Sequence, residues 1–116
     1  MARVTPTPVV PSYAGTVVTF GAATVDGDIL PVGSNVALLV TNGGGSPITV
    51  TIQTTAEKGG LAVADAGGAV PNGASRVFGP FPASLFAQDA DAVEGPNKVL
   101  VDYSAITSVT RAVIQL

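Results

Sequence analysis

The sequence predicts an all-β fold, either a compact antiparallel β-sandwich or a jelly-roll-like barrel, with an extended N-terminal arm. Short runs rich in β-branched and aromatic residues are separated by Gly, Pro and Asn, a spacing typical of sandwiches and barrels. Residues 48–53 alternate apolar and polar side chains with the period of two that a half-buried strand requires. The chain has 116 residues, the length of one domain, and carries no helical heptad pattern.

The N-terminal segment predicts an arm because proline recurs in it at short intervals. Proline fixes φ and favours an extended, polyproline-like chain over a helix or a central strand. The valines of the segment favour docking, whereas a frayed terminus is the alternative. We predict an arm over residues 1–15 and a single β-sandwich domain over residues 16–116. The arm residues predicted to contact a partner are Val4, Pro6, Pro8, Val9 and Val10.

The sequence of the first half of the domain predicts strands and a turn. Residues 16–20 are rich in β-branched and aromatic side chains and predict the first strand. Asp26 and Asp28 flank a glycine and predict a turn stabilised by their side chains. Residues 36–41 are apolar on both faces, which predicts a central strand buried on both sides.

A hairpin is predicted next. Residues 48–54 alternate as a half-buried strand, and three glycines at 43–45 suit a loop that needs positive φ. We therefore predict that residues 36–41 and 48–54 pair antiparallel. A phosphate-binding loop is the alternative for these glycines, but such loops join a strand to a helix and carry a Lys or a strict G-x-G-x-x-G spacing.

The sequence of the second half of the domain predicts further strands and one helical turn. Residues 57–73 are rich in glycine and predict a loop excursion, followed by a strand over residues 75–78. Pro82 can start a helical turn that continues to residue 87. Residues 99–103 alternate as a strand, and residues 108–116, free of Pro and Gly, predict a last strand paired within a sheet.

The composition argues against an enzyme. The chain has no His, Cys or Trp, and 11% of its residues are charged, against roughly 25% in ordinary domains. Catalysis by a histidine base or a cysteine nucleophile is therefore excluded, and transition-metal sites lose two of their usual ligands. Any active site would have to be built from a few carboxylates and hydroxyls, and no cofactor is predicted. Asp89, Asp91 and Glu94 form the one carboxylate cluster in the sequence. A solvated polar loop is favoured over a calcium site, because the central Gly and distal Glu of an EF-hand loop are missing.

The aromatic residues are few, which weakens a carbohydrate-binding function. Phe81 lies in a Gly-Pro-Phe-Pro corner, where its ring packs either at an intersubunit seam or in a corner of the core. Burial favours the core, since large aromatic side chains mainly serve packing. Phe81 is nevertheless kept as a candidate partner contact.

The charge and hydropathy exclude some classes of partner and favour another protein chain. The net charge is −3 with five basic residues, too few for a basic stripe, so no nucleic-acid partner is predicted. The longest aliphatic run, residues 36–40, is far short of the roughly 20 residues of a membrane-spanning helix, and no membrane partner is predicted. Prolines interrupt the N-terminus, so no secretory signal is expected. With 47% hydrophobic residues and so few charges, we expect another chain to cover apolar surface.

Several segments, in their order along the chain, carry a resemblance to a known family. They are Val40-Thr41-Asn42-Gly43 with its partner run 48–54, Gly79-Pro80-Phe81-Pro82 followed by Leu85-Phe86, Val99-Leu100-Val101-Asp102-Tyr103-Ser104, and Thr107-Ser108-Val109-Thr110. Together they resemble the small head proteins of tailed bacteriophages, specifically the capsid decoration or cement proteins. The resemblance covers residues 16–116 in pattern and includes no active-site motif.

The resemblance implies a β-sandwich or jelly-roll protein that trimerises on the outside of a phage head and ties neighbouring capsomers together. It implies the major capsid protein as partner, a homotrimer, a location on the capsid exterior, and synthesis in the host cytoplasm. It also implies that the N-terminal arm lies on the capsid lattice or on a neighbouring subunit. The alternatives are a head–tail connector or tail component, and an adhesin-like or carbohydrate-binding β-sandwich.

Overall fold

Two four-stranded antiparallel sheets face each other across one apolar core. The computed structural model describes residues 3–55, 57–92 and 94–116. Those residues contain ten strands and one short helix. In chain order they are β1 (Gly21–Ala22), β2 (Asp28–Leu30), β3 (Val36–Asn42), β4 (Ile48–Ile52), β5 (Glu57–Lys58), β6 (Leu61–Ala62), β7 (Ala66–Val70), β8 (Ser75–Phe78), α1 (Ala83–Phe86), β9 (Val99–Tyr103) and β10 (Val109–Gln115).

Strands from the beginning, the middle and the end of the chain take part in the same sandwich. The first sheet has the order β2-β9-β4-β7, the second sheet has the order β1-β10-β3-β8, and β5 and β6 form a separate two-stranded ribbon. Leu38 and Val113 of the second sheet and Val50 and Val101 of the first sheet belong to one buried cluster. The predicted all-β fold, an antiparallel sandwich, is confirmed.

Several strands follow the alternation in the sequence. The side chains of β4 alternate between buried and outward positions, and β3 is central, between β10 and β8. β10 is paired along its length with β3, as expected for the last strand. The predicted helical turn is also confirmed, since Pro82 precedes α1. Apolar residues at every second position, which point into the core, are therefore sufficient to locate these strands in the sequence.

The predicted hairpin between β3 and β4 is wrong, because the two strands lie in different sheets. Asn42 explains the crossing. Its buried side-chain amide donates to the carbonyls of Ser46 at 2.8 Å and Val70 at 3.0 Å, and its Oδ1 accepts from the backbone N–H of Gly44 at 3.0 Å. These bonds satisfy the backbone at the point where the chain leaves one sheet for the other. Two apolar strands that are close in the sequence can pair side by side or face each other across a core, and the local pattern does not distinguish these arrangements.

Two further sequence predictions are corrected. Residues 16–20 are an exposed loop, and the first strand begins at Gly21. The predicted loop over residues 57–73 includes β7, an edge strand of the first sheet that pairs with β4 over five residues. Gly67 in β7 has a φ of +120°, and an added Cβ there would collide with the carbonyl oxygen of Val50. The lack of a side chain at Gly67 therefore allows β7 to approach β4 closely. Because glycine has a low β-propensity, the sequence does not predict this strand.

A buried polar cluster joins the two sheets inside the core. Arg111 of β10 donates from Nε to Asp28 Oδ2 at 2.7 Å and from Nη2 to Asp28 Oδ1 at 3.0 Å. The hydroxyl of Tyr103 on β9 donates to the same Oδ2. Asp28 is fully buried in β2, so the prediction that it acts as a turn residue is corrected. The hydrogen bond to Asp28 raises the pKa of Arg111, and burial, followed by the charge of Asp28, raises the pKa of the Tyr103 hydroxyl.

We expect Arg111→Met to destabilise the fold strongly, because it leaves the Asp28 carboxylate buried without its bidentate partner. Breaking one partner of a buried ion pair costs about 3–5 kcal/mol of unfolding free energy. Tyr103→Phe removes one hydrogen bond to the same carboxylate and costs about 1–3 kcal/mol. Urea denaturation measures both values. An Arg111→Met protein within about 0.5 kcal/mol of the wild type would contradict the role of the pair.

The raised pKa of Tyr103 predicts a fall in stability at alkaline pH. Above pH about 10 an unfolded tyrosine loses its proton. The folded protein keeps this proton, so it binds more protons than the unfolded chain and unfolding becomes easier as the pH rises. Urea midpoints between pH 9 and about 11 should therefore fall more steeply for the wild type than for Tyr103→Phe. Equal slopes would contradict the prediction.

Candidate interaction surface

Arg3 holds the N-terminal segment on the first sheet. Its Nε donates to Glu94 Oε1 at 2.9 Å, its Nη1 donates to the carbonyl of Val101 at 2.9 Å, and its Nη2 lies 2.7 Å from Asp102 Oδ1. The Arg3 side chain is 11% exposed, against 42% for either carboxylate. A guanidinium held by two carboxylates and a carbonyl is geometrically specific, unlike a lone exposed ion pair.

Two isolated β-bridges then carry the segment from one sheet to the other. Val4 pairs with β2 through backbone hydrogen bonds of 3.2 and 2.8 Å. Val9 pairs with β10 through backbone hydrogen bonds of 2.7 and 2.9 Å. Pro6 and Pro8 lie between them and have no N–H to donate, so the pairing stays confined to single residues. Residues 4–9 therefore close one side of the sandwich.

The predicted partner contacts in this segment are only partly accessible. Pro6, Pro8 and Val9 are half-buried, Val4 is 41% exposed and Val10 is 62% exposed. The structure does not show these residues extending away from the domain as an arm. Their contact with another molecule stays a prediction, and Val4 and Val10 offer it the largest exposed side chains.

Residues 10–20, which we call the N-terminal loop, are exposed at every position. Both ends of the loop are anchored on β10, through Val9 on one side and Gly21 on the other. A turn orders the tip, since Gly15 donates its N–H to the carbonyl of Ser12 at 3.0 Å. Tyr13 within this turn is fully exposed. The loop has no acidic or basic residue.

The outward side chains of the second sheet, which we call the uncharged face, follow from the strand register. Arg111 and Val113 point into the core, so their neighbours along β10 point outward, and the paired residues of β1, β3 and β8 do the same. Val77 is 65% exposed and Leu39 is half-buried. The uncharged face consists of Ala22, Ala37, Leu39, Thr41, Ser75, Val77, Thr110, Ala112 and Ile114, of which Ala112 is only 3% exposed.

The outward side of the first sheet is different in chemistry. Asp102 on β9 pairs with Arg3 and accepts a hydrogen bond of 2.8 Å from Gln53 Nε2. Leu100, the apolar outward residue of β9, is only 6% exposed because Gly95 packs against it. The outward positions of the first sheet therefore include one charged residue, Asp102, among aliphatic and hydroxyl side chains, whereas those of the second sheet include none.

The sequence contained a signal for the uncharged face. Residues 36–41 are apolar on both sides, which predicted a strand buried on both sides. β3 is central and its inward side chains are buried, as predicted. Its outward residues Ala37 and Leu39 remain half-buried within the single chain. The apolar pattern thus marks a second surface that is available for a contact.

A groove of about 290 Å³ lies at one end of the uncharged face, and we call it the apolar groove. Its lining has no acidic or basic side chain. Val77 of the edge strand β8 and Ile114 of β10 supply aliphatic side chains to it. The full lining is Ser34, Asn35, Val36, Ala37, Val77, Gly79, Pro80, Ile114 and Leu116.

Phe81 is a core residue. It is 1% exposed, and its ring meets the Phe86 ring edge to face at a centroid distance of 5.7 Å. Its backbone pairs with Gly33 through hydrogen bonds of 2.7 and 3.0 Å. The core-corner alternative therefore describes Phe81, and its candidacy as a partner contact is corrected: its ring lies inside the chain.

The acidic residues of the loop over 89–94 do not meet as a ligand set. Glu94 turns to Arg3, whereas Asp89 and Asp91 are exposed. Among the described residues, no group of three or more acidic, His or Cys side chains is arranged to hold a metal ion. The described part of the chain likewise has no helix of the length and apolarity that a membrane span requires.

Comparisons with known proteins give no relative to compare with these surfaces. The sequence matches no protein-family model, no curated protein matches it, and no solved structure matches the fold. The surfaces therefore have to be interpreted from their own chemistry.

We expect Arg3→Ala to loosen the N-terminal segment without unfolding the sandwich. The backbone amides that depend on the Val4 bridge should exchange with solvent at least about tenfold faster, since locally opening segments are those with few remaining contacts. Hydrogen exchange followed by NMR measures this change. Arg76→Ala is the matched control, because Arg76 bonds the carbonyl of Ala69, in the opposite edge strand β7. Unchanged exchange at Val4 and Ile29 in Arg3→Ala would contradict the anchoring role.

Proposed function

We propose that this protein is a non-enzymatic structural component of a phage virion, a capsid decoration or cement protein. It binds the outside of the head and stabilises contacts between capsomers. The observation that carries this proposal is the uncharged face, nine outward positions on four strands without an acidic or basic residue.

Uncharged aliphatic surface favours a permanent protein contact. Burying it releases water from apolar atoms, whereas burying unpaired charges would cost desolvation energy. Serine and threonine on the same face can exchange water for hydrogen bonds to a partner. The ion pairs of Arg3 lie on the first sheet, so a partner on the uncharged face does not disturb them.

The resemblance supplies the class of partner. Decoration proteins are expected to be small β-sandwich or jelly-roll domains, and this chain has an antiparallel sandwich fold. The major capsid protein is the proposed partner, and a trimer is the proposed oligomer. Repeated attachment to a symmetric shell multiplies contacts that are individually modest, so affinity for the whole particle does not require a deep pocket.

Purified particles of the phage that encodes this protein test the proposal. Peptide mass spectrometry should find the chain in mature particles. Particles made without it should lose their contents at a lower temperature, and added wild-type protein should restore the higher temperature. Absence of the chain from mature particles would overturn the proposal. Its presence in tails or connectors but not on heads would replace decoration with that alternative.

A pair of variants tests the uncharged face directly. Leu39→Lys introduces a charge at its centre, and Thr49→Lys introduces the same charge on the outward side of the first sheet. We expect Leu39→Lys to bind particles that lack the protein at least about tenfold more weakly than wild type, and Thr49→Lys to bind normally. Thermal unfolding of both variants checks that they are folded. Normal particle binding by folded Leu39→Lys would show that the face is not the contact.

A further inference from the structure

We propose that the cavity beneath residues 4–9 binds a small organic carboxylate, with Arg111 as the side chain that anchors it. This space, which we call the N-terminal cavity, lies between the N-terminal segment and β10 and has a volume of about 510 Å³. Its volume is within the range of small-molecule sites. The inference goes beyond a capsid function, because the site needs no particle and no second copy of the chain.

The N-terminal cavity is an uncovered stretch of the β10 edge. β1 pairs with β10 as far as Arg111, and the bridge of Val9 lies opposite Ile114, so no strand of the described chain pairs with the residues between them on this side. Pro6 and Pro8 line the gap with half-buried rings, but a proline nitrogen has no hydrogen to donate to the strand. The segment therefore roofs a space that backbone pairing does not fill.

Arg111 brings an unused donor to this cavity. Its Nε and Nη2 donate to Asp28, whereas no acceptor in the described part of the chain bonds its Nη1. The residue is 6% exposed, and no fully buried side-chain nitrogen among the described residues lacks a partner, so Nη1 is open to the cavity that Arg111 lines. A Cβ added to Gly21, which lines the same cavity, would lie 2.5 Å from Nη1. Glycine at this position therefore keeps the donor accessible.

Val113 adds a backbone donor. Its carbonyl accepts from the N–H of Val9 at 2.7 Å, so its own N–H, which lies on the same side of an extended strand, also faces the N-terminal segment. No residue that the structure describes accepts a hydrogen bond from this N–H. Val113 and Arg111 both line the cavity. Donors that the protein leaves unpaired beside a cavity are available to a bound molecule.

The donors and the lining select the class of ligand. Among the described lining residues, Arg111 is the one charged side chain, and Asp28, its partner in the core, already accepts from Tyr103 as well. A carboxylate takes charge-assisted hydrogen bonds from a guanidinium, which are roughly twice as strong as those of a neutral acceptor. The rings of Pro6 and Pro8 offer apolar contact to the hydrocarbon part of a ligand. The site therefore suits an aliphatic or aromatic carboxylate better than an inorganic anion.

Benzoate is the probe that tests the site, and benzamide is its uncharged analogue of similar shape. NMR spectra of isotope-labelled wild-type protein follow a titration with each compound at neutral pH. We expect benzoate to shift the amide signals of Gly21 and Val113 in a saturable way, and benzamide to bind at least about tenfold more weakly because it lacks the charge. Absence of saturable shifts at these amides with benzoate would overturn the proposal, as would equal affinity for benzamide.

Two glycine variants test whether Arg111 anchors the ligand. Gly21→Ala places a methyl group against Nη1, whereas a Cβ at the control position Gly45 meets no atom within 4 Å. We expect Gly21→Ala to bind benzoate at least about tenfold more weakly than the wild type, and Gly45→Ala to bind it equally well. Saturating benzoate should raise the unfolding temperature of the wild type and of Gly45→Ala but not that of Gly21→Ala.

Thermal unfolding without benzoate checks that both variants are folded. Wild-type affinity for benzoate in folded Gly21→Ala would overturn the proposal. The comparison of benzoate with benzamide uses the wild-type chain and does not depend on either variant.

Discussion

The buried pair of Arg111 and Asp28 determines how the rest of the structure is arranged. It connects the last strand of the second sheet to an early strand of the first sheet through the apolar core. Because a strand alternates its side chains, an inward Arg111 requires Ala112 and Ile114 to point outward. A shift of one residue would bury the wrong set and leave the Asp28 carboxylate without its partner. The uncharged outer face is thus a consequence of the polar contact inside.

The two outer sides of the sandwich differ in whether they carry ion pairs. Arg3, Glu94 and Asp102 form ion pairs on the first sheet, and aliphatic and hydroxyl groups occupy the second. A small domain with 11% charged residues cannot surround itself with charge. The outward positions of the second sheet carry no charged side chain, so a protein contact there does not require an ion to lose its hydration. This feature connects the composition with the proposed assembly function.

The N-terminal segment combines local rigidity with few backbone donors. Its prolines keep it extended but prevent a continuous strand, so it attaches through Arg3, Val4 and Val9 at separate points. These attachments close one side of the sandwich and fix where the N-terminal loop begins. The apolar side chains beyond Val9 then remain outside the core, where a second molecule can reach them.

The sequence alone determined the all-β class, the central position of β3, the helical turn after Pro82 and the low charge of the chain, because periodicity and composition are local properties. Only the tertiary structure decided that β3 and β4 lie in different sheets, that the glycine-rich β7 is a strand, and that Asp28 is buried. These features depend on partners distant in sequence, such as Arg111 for Asp28. Of the predicted contact residues, Val4 and Val10 stay accessible and Phe81 does not, because exposure is set by how elements pack and not by side-chain type.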